Sequence, residues 1–124
     1  MGNKIFTYKL RTFINASHAV RWQDGQGAEH PHTWELILDI RPNVGTEAFK
    51  FESIEQVMNA SIEPFAGQFL NTVAPFDEIN PTLENFTDIL FDLITSALLE
   101  ISCQLIELSV GESPTRFYHV TLDA

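Results

Sequence analysis

The stretches FTYKLRTFINASH at residues 6–18 and HPHTWELILDI at residues 30–40 decide the fold of this chain. Apolar and polar side chains alternate along both stretches, which is the pattern of a strand with one buried face. The polar residues DGQG at 24–27 interrupt the alternation and are typical of a turn. The pattern predicts a long β-hairpin, with a first strand from Phe6 to Val20 and a second that includes Trp34–Ile40. On the apolar side of the first strand we place Phe6, Tyr8, Leu10, Ile14 and Ala16.

Two helices and two further strands are predicted after the hairpin. The first helix is short and amphipathic, and Pro64 and Gly67 disrupt its period. The second helix is longer and has Asn80 or Thr82 available as its N-cap. The last strands are expected at Gln104–Val110 and Phe117–Leu122, where strand character returns. The apolar helix positions are Ile54, Val57, Met58, Ile62 and Phe65 in the first, and Leu83, Phe86, Leu90, Leu93, Ala97 and Leu98 in the second.

The element order β-β-α-α-β-β predicts a single α+β domain over residues 1–124. A chain of 124 residues with 44% hydrophobic content is enough for one core. We expect an antiparallel four-stranded sheet whose apolar face is covered by the two helices. The other face, with Ile5, Lys9, Phe13 and Ile37, stays uncovered. A partly apolar open face and unpaired sheet edges favour a homo-oligomer.

The charge balance argues against two classes of partner. Seventeen acidic and seven basic side chains give a formal net charge of -10, which is the wrong sign for binding nucleic acid or an anionic membrane surface. The most apolar run, Ile89–Leu99, is shorter than a transmembrane helix requires. Cys103 has no second cysteine to pair with, and the N-terminus lacks a long apolar signal segment. These features predict a cytoplasmic protein.

Three of the four histidines are placed to bind a metal ion. His30 and His32 are two residues apart in an extended segment, so they point to the same face as Trp34. His18 shares its face with the apolar side of the first strand, and a hairpin brings it close to the pair. Three neutral imidazoles leave a fourth tetrahedral position for water or substrate, as in catalytic zinc sites. On parity alone, an alternative remains open, in which these are loop and core histidines bonded to backbone groups.

Motifs in five parts of the chain resemble those of the 6-pyruvoyl/6-carboxy-tetrahydropterin synthases. Phe13–His18 and His30–Trp34 resemble the two zinc-binding segments of that family. Leu70–Asn71 and Pro81–Asn85 look like its L-N and P-T-x-E-N signatures. Glu112 matches the glutamate that anchors the pterin ring. The resemblance covers nearly the whole chain in the right order.

The resemblance implies a tunnelling fold, in which subunits join their sheets into a barrel, commonly as a hexamer of two trimers. It implies a zinc-dependent carbon-oxygen lyase that acts on a pterin of the dihydroneopterin triphosphate class. By the same resemblance, His18, His30 and His32 would hold Zn²⁺ as a Lewis acid. Glu112 would accept hydrogen bonds from the pterin, and Thr82 would belong to the substrate site.

Two catalytic features of the resembling enzymes are replaced in this chain. Gln26 occupies the position of their cysteine, and Ala66-Gly67 occupies the position of their Asp-His pair. None of these three side chains can act as a general base. The usual proton relay is therefore missing, and we predict weak or absent turnover of the standard substrate.

The replacement base is not identified by the pattern. Glu29 is the nearest candidate, although it precedes His30 directly and by strand parity points the other way. Asp24 and His119 are more remote candidates. Cys103 is interpreted as a small hydrophobe in a strand, of opposite parity to Gln104, Ile106 and Leu108. Two hypotheses follow: an enzyme with an altered proton relay, or a binding protein that keeps metal and pterin but has lost the chemistry.

Overall fold

A four-stranded antiparallel sheet forms the centre of the structure, a computed structural model that describes residues 2–43 and 50–122. Its strands are β1 (Tyr8–His18), β4 (His30–Pro42), β5 (Cys103–Ser113) and β6 (Arg116–Thr121), in the order β1-β4-β5-β6. The strands β2 (Arg21–Trp22) and β3 (Gly25–Gln26) lie between β1 and β4 in the sequence and form a separate two-stranded ribbon. The alternation had predicted only a turn region there.

Two helices cover one face of this sheet, as the sequence predicts. They are α1 (Phe51–Ile62), which continues into a 3-10 turn at Glu63–Phe65, and α2 (Leu83–Leu99). Thr82 caps α2, since its Oγ1 accepts a hydrogen bond of 3.1 Å from the backbone N–H of Asn85. The α+β class and the order β-β-α-α-β-β of the main elements are confirmed.

The core lies between the helices and the sheet face that strand parity selected. Trp34, Leu36, Leu38 and Ile40 of β4 are all 0% exposed. Opposite them, α2 buries Phe86, Leu90, Ile94 and Leu98, also at 0% exposure. Because the side chains of Trp34, Leu36, Leu38 and Ile40 are all apolar, their burial fixes the orientation of the strand and therefore the direction of His30 and His32.

The structure corrects the predicted apolar face of α2 and the start of the first strand. Phe86, Leu90 and Leu98 are buried as predicted, but Leu93 is 42% exposed, and Phe91 and Ile94 are buried beside them. Successive helical residues differ by about 100° in direction, and a stripe chosen from spacing alone can be displaced by that amount. Phe6 lies before β1 and is 77% exposed.

A β-bulge corrects the predicted facing of Cys103. Ile40 pairs with Leu105 and Asp39 pairs with Glu107, so Ile106 is the extra residue. The bulge reverses the alternation within β5. Cys103 therefore shares the core face with Leu108, where simple parity had placed the two on opposite faces, and burial raises the pKa of its thiol.

The opposite face of the sheet carries exposed apolar side chains, as predicted. Phe13 is 56% exposed, and Ile5, just before β1, is 75% exposed. None of the helices within residues 2–43 and 50–122 is long and apolar enough to cross a membrane.

Candidate functional site

The β1–β4 register brings the three predicted histidines to one end of the sheet. His18 is the direct cross-strand partner of His30, and Ala16 is the partner of His32. The small side chain of Ala16 leaves room beside His32 for the ring of His18. One potential ligand atom from each histidine lies within 4.8 Å of the others. The structure thus forms a three-histidine cluster that could hold a metal ion.

Backbone carbonyls orient two of the three rings. The Nδ1 of His18 lies 2.7 Å from the carbonyl oxygen of Pro81, and the Nδ1 of His30 lies 3.1 Å from that of Ala28. A carbonyl oxygen only accepts hydrogen bonds, so both Nδ1 atoms carry the proton and donate. Metal-binding histidines commonly have a partner of this kind on the nitrogen that does not bind metal.

The Nε2 atoms then face one another as acceptors. In neutral rings protonated at Nδ1, each Nε2 carries a lone pair, yet those of His18 and His30 are 2.9 Å apart. A hydrogen bond between them would require one of the two rings to be charged. A cation bound between the ring nitrogens would relieve this repulsion instead.

The ring of His32 has a buried nitrogen, Nε2, without a hydrogen-bond partner among the described residues. A buried polar atom without a partner is costly, and such atoms often mark the position of an ion or water. One ring nitrogen of His32 also lies within 4.8 Å of a ring nitrogen of each of the other two histidines.

Burial favours the neutral, ligand form of two histidines. It is the main cause that lowers the pKa of His18, and the hydrogen bond to the Pro81 carbonyl opposes it. Burial also lowers the pKa of His32, helped by the neighbouring His18 and opposed by Glu112. Both rings therefore keep a free lone pair at neutral pH.

The buried ring of Trp34 packs against two rings of the histidine cluster. The ring of Trp34 contacts those of His18 and His32 edge-on, at centroid separations of 5.0 and 5.2 Å. Trp34 is held by its own hydrogen bond of 3.0 Å from Nε1 to the carbonyl of Ala16, and by Phe86 of α2 at 4.9 Å. The contacts of Trp34 therefore connect the orientation of the imidazole rings to the packing of the core.

Two asparagines hold the chain just after β1. Asn71 accepts from the backbone N–H of Ala19 and donates to its carbonyl, at 2.9 and 2.7 Å. Asn80 does the same to Arg21, at 2.8 Å for each bond. Each amide replaces a missing strand neighbour, so the end of β1 that carries His18 keeps its position although the main sheet stops there.

Glu112 lies beside the cluster because of a second bulge. Gly111 pairs with Phe117 and Ser113 with Arg116, so Glu112 is unpaired in β5. Its carboxylate lies 3.9 Å from the Nε2 of His32 and 3.9 Å from the guanidinium of Arg116. Both separations are too long for hydrogen bonds, so the oxygens keep acceptor capacity.

Glu29 borders a cavity of about 770 Å³ that His32 also lines. Its carboxylate accepts a hydrogen bond of 2.6 Å from the hydroxyl of Ser17, a residue that follows the outward parity of β1. Glu29 is therefore on the Ser17 side, as parity predicts, while the cavity connects that side to His32. The cavity is also lined by Asn15, Gly67, Gln68 and Phe69.

The residues at the positions of the missing relay have structural contacts. The side-chain oxygen of Gln26 accepts a bond of 3.4 Å from Asn71. Gly67 has a φ of 73°, a left-handed conformation that favours glycine, and donates its N–H to Asn15 at 2.6 Å. Neither contact provides a proton acceptor toward the cluster.

The other predicted candidates lie in different places. Thr82 directly follows Pro81, whose carbonyl anchors His18, and its helix-capping bond does not use the hydroxyl proton. His119 is in β6, 3.8 Å from Glu107, and is not part of the three-histidine cluster. Asp24 lies in the turn between β2 and β3 and is exposed. The Pro81 carbonyl was not predicted as a contact of the site, although Pro81 belongs to one of the quoted motifs.

Known proteins place this geometry in context. The 6-pyruvoyl tetrahydropterin synthase family model matches residues 7–123. No curated protein sequence matches the chain significantly. Among solved structures, 6-pyruvoyl tetrahydropterin synthase from Caenorhabditis elegans is similar, with a TM-score of 0.81 and 16% identity over 95% of this chain and 96% of that one.

Two further structures share the fold at lower similarity. A Plasmodium vivax 6-pyruvoyltetrahydropterin synthase variant, in which a catalytic glutamate is replaced by alanine, has a TM-score of 0.68 and 12% identity over 97% of this chain and 100% of that one. An uncharacterized protein from Wolinella succinogenes has a TM-score of 0.67 and 13% identity over 96% and 100%. At these identities the likeness concerns the fold alone.

Proposed function

Because the chain belongs to the 6-pyruvoyl tetrahydropterin synthase family, we propose that it binds zinc and a pterin of the dihydroneopterin triphosphate class at one site. His18, His30 and His32 hold the metal. The observation that carries this proposal is that one ring nitrogen from each of the three histidines lies within 4.8 Å of the others, while the Nε2 of His32 is buried without a hydrogen-bond partner among the described residues. Nitrogen donors in this number suit zinc with one open position.

When bound, zinc supplies Lewis-acid polarisation of an oxygen of the ligand. The residues around it fix the ligand. Glu112, with two oxygens free to accept, takes the amino and ring N–H groups of the pterin edge, a geometry suited to a carboxylate. Thr82 offers its hydroxyl proton from the N-terminus of α2.

Glu29 is proposed as the group that accepts the substrate proton. It lines the cavity next to His32, and its carboxylate is oriented by the Ser17 hydroxyl. The Plasmodium vivax relative offers a precedent, since that protein has a catalytic glutamate. A carboxylate is a weaker base than most relays use at neutral pH, so we expect turnover to be slow.

A second candidate function is metal and pterin binding without turnover. The specific observation in its favour is that Gln26 is bonded to Asn71 and that Gly67 has no side chain. Both proposals share the bound state and differ only in the proton transfer. They are separated by whether the natural protein forms product, and a replacement of Glu29 then tests the identity of the base.

Metal content tests the shared part of the two proposals. Untagged protein purified without added metal is expected to contain about one zinc ion per chain by elemental analysis. His32→Ala should lose most of it, whereas His119→Ala, the fourth histidine, should retain it. Equal metal in the natural protein and His32→Ala would refute the zinc site.

Product formation from dihydroneopterin triphosphate tests the role of Glu29. Glu29→Gln keeps the size and the Ser17 contact, and is expected to lower turnover at least about 100-fold with pterin affinity nearly unchanged. Unchanged turnover would exclude Glu29 as the base. A natural protein that binds pterin in a Glu112-dependent way, with no turnover at all, would support the binding-only candidate.

A further inference from the structure

The strands β4 and β5 separate next to the three-histidine cluster and leave a cleft of about 410 Å³. Their ladder ends at the pair Glu35–Gly111, while β4 continues back to His30. The side chains of His32 and Glu112 both point toward the core side of the sheet. This gap makes them accessible. The lining of the cleft includes Phe13, His32, Glu35, Glu112 and Phe117.

Two phenylalanines border the cleft on the open face of the sheet. Phe13 pairs with Glu35, Glu35 with Gly111, and Gly111 with Phe117, so the four residues form one row across all four strands. Phe13 is 56% and Phe117 42% exposed. Their β-carbons are about 14 Å apart, since three strand spacings separate β1 from β6.

Gly111 determines where the ring of Phe117 lies. A β-carbon at Gly111 would be 2.5 Å from the nearest ring atom, so the ring rests directly on the glycine backbone. It is thereby moved about one strand spacing toward Phe13. Both rings line the cleft of about 410 Å³, a volume in the range of small-molecule sites, and Glu35 lies between them in the row.

We propose that Phe13 and Phe117 form an aromatic slot that stacks the pterin bicycle, and that Gly111 positions Phe117 for this contact. The inference rests on the proposed pterin site and adds its specificity-determining walls. Stacking alone accepts any planar heterocycle. Selection for a pterin comes from Glu112 at the inner end of the slot, which requires an edge of amino and N–H donors.

The exposure of the two rings is consistent with this role. Each leaves a large apolar surface in water next to a carboxylate with free acceptor capacity. Aromatic rings that flank a polar anchor group are a common arrangement for planar ligands, and one stacked base typically changes affinity by about 5- to 150-fold.

Biopterin fluorescence provides the test, because stacking on an aromatic ring quenches the fluorescence of the bicycle. Zinc-loaded natural protein is expected to bind biopterin with strong quenching. Phe117→Leu and Phe13→Leu should each weaken binding about tenfold and reduce the quenching, while zinc content stays the same. Phe51→Leu, at an exposed phenylalanine of α1, is the matched control and should change neither quantity.

Gly111 is tested as a positioning residue by a pair of variants. Gly111→Ala should displace the Phe117 ring, lower the melting temperature and weaken biopterin binding about tenfold. Adding Phe117→Leu to Gly111→Ala removes the clash and should restore the melting temperature without restoring affinity or quenching. Since both substitutions act on the same ring, the double variant should bind about as well as Phe117→Leu alone, and a clear further loss of affinity would show that Gly111 acts independently of Phe117.

The outcomes separate this inference from the proposed function. If the natural protein binds biopterin in a Glu112-dependent manner and both leucine variants bind equally well with equal quenching, the slot is refuted and the pterin site stands. If the natural protein does not bind biopterin, or if Glu112→Ala leaves binding unchanged, the pterin site and the slot are both refuted.

Discussion

Gly67 limits the chemistry that this site can regain through single substitutions. The resemblance places it where the family's enzymes have a relay residue, and its φ of 73° suits glycine rather than a side chain with a β-carbon. A β-carbon at this position would meet no atom within 4 Å, so space is available. The cost of a histidine at this position is therefore conformational, about 1–2 kcal/mol.

We predict that Gln26→Cys, Ala66→Asp and Gly67→His together increase turnover of dihydroneopterin triphosphate by at least about 100-fold. The reason is that proton-transferring groups return beside an intact metal and pterin site. The measurement is product formation by zinc-loaded protein, with biopterin affinity as control. A triple variant that binds zinc and biopterin normally but is no faster would contradict the missing-relay interpretation.

At the scale of elements, the asparagine clamps connect the loops to the end of β1. Asn71 is 8% exposed, and its amide satisfies both backbone groups of Ala19. Asn71→Ala leaves these groups without a partner and is expected to reduce the free energy of unfolding by about 2–3 kcal/mol. Chemical denaturation measures it, and Asn59→Ala, at an exposed position of α1, should change stability far less.

The same substitution is expected to weaken zinc binding, because the clamp lies one residue from His18. Metal competition with a chelator would report this effect at a temperature where the variant is still folded. Normal zinc affinity in Asn71→Ala would show that the position of His18 depends on Pro81 and Trp34 rather than on the clamp.

A cross-strand acidic pair on the open face of the sheet predicts a pH effect. Asp39 pairs with Glu107 in the ladder, and burial followed by the hydrogen bond with Glu107 raises the pKa of Asp39 above its ordinary value of 3.8. A hydrogen bond from Thr121 is the main cause that lowers the pKa of Glu107. Of the two carboxyl groups, Asp39 is therefore the one that takes up a proton first as the pH falls.

The direction of the pH effect follows from whether the folded or the unfolded state binds the Asp39 proton more tightly. The folded state holds the Asp39 proton more tightly than the unfolded state, so its contribution to stability is lost as pH rises through the folded pKa. We predict that Asp39→Asn increases stability at pH 7 and that the gain shrinks as pH falls toward 3.8. The Lys9 contact that is lost is mostly exposed and contributes little.

Thermal unfolding across this pH range checks the Asp39 prediction. Asp88→Asn, at an exposed acid of α2, is the control and should show no such trend. A gain that grows on acidification would mean that Asp39 is stabilised as the charged form by Lys9.

At the scale of the whole molecule, several apolar side chains are exposed. A second copy of the chain can bury them. Ile5 is 75%, Phe6 77% and Phe13 56% exposed, all in or near β1 at the edge of the sheet. An exposed edge strand beside apolar surface favours pairing with another chain. We predict a ring-like homo-oligomer, and a hexamer if the assembly follows the resemblance.

Light scattering at micromolar concentration tests the assembly. The net charge of -10 per chain opposes association, so the oligomer should become more stable as salt screens the repulsion. A monomer of 14.0 kDa at both low and high salt would refute the prediction.

The sequence by itself determined the main elements and the convergence of the three histidines. A strand alternates its side chains by covalent geometry, so the buried run from Trp34 to Ile40 sets the direction of His30 and His32, and a hairpin places His18 beside them. These are local properties of the chain. The presence of the two helices followed in the same way from spacing and from the Thr82 cap.

Only the tertiary structure decided where the side chains at the two ends of β5 lie. The bulge at Ile106 reverses the facing of Cys103, and the unpaired Glu112 is placed beside His32. A bulge depends on the balance of pairing with two neighbouring strands, which no local pattern encodes. The Pro81 carbonyl that orients His18 is 63 residues away along the chain, so that contact exists only once the helix and the sheet have packed together.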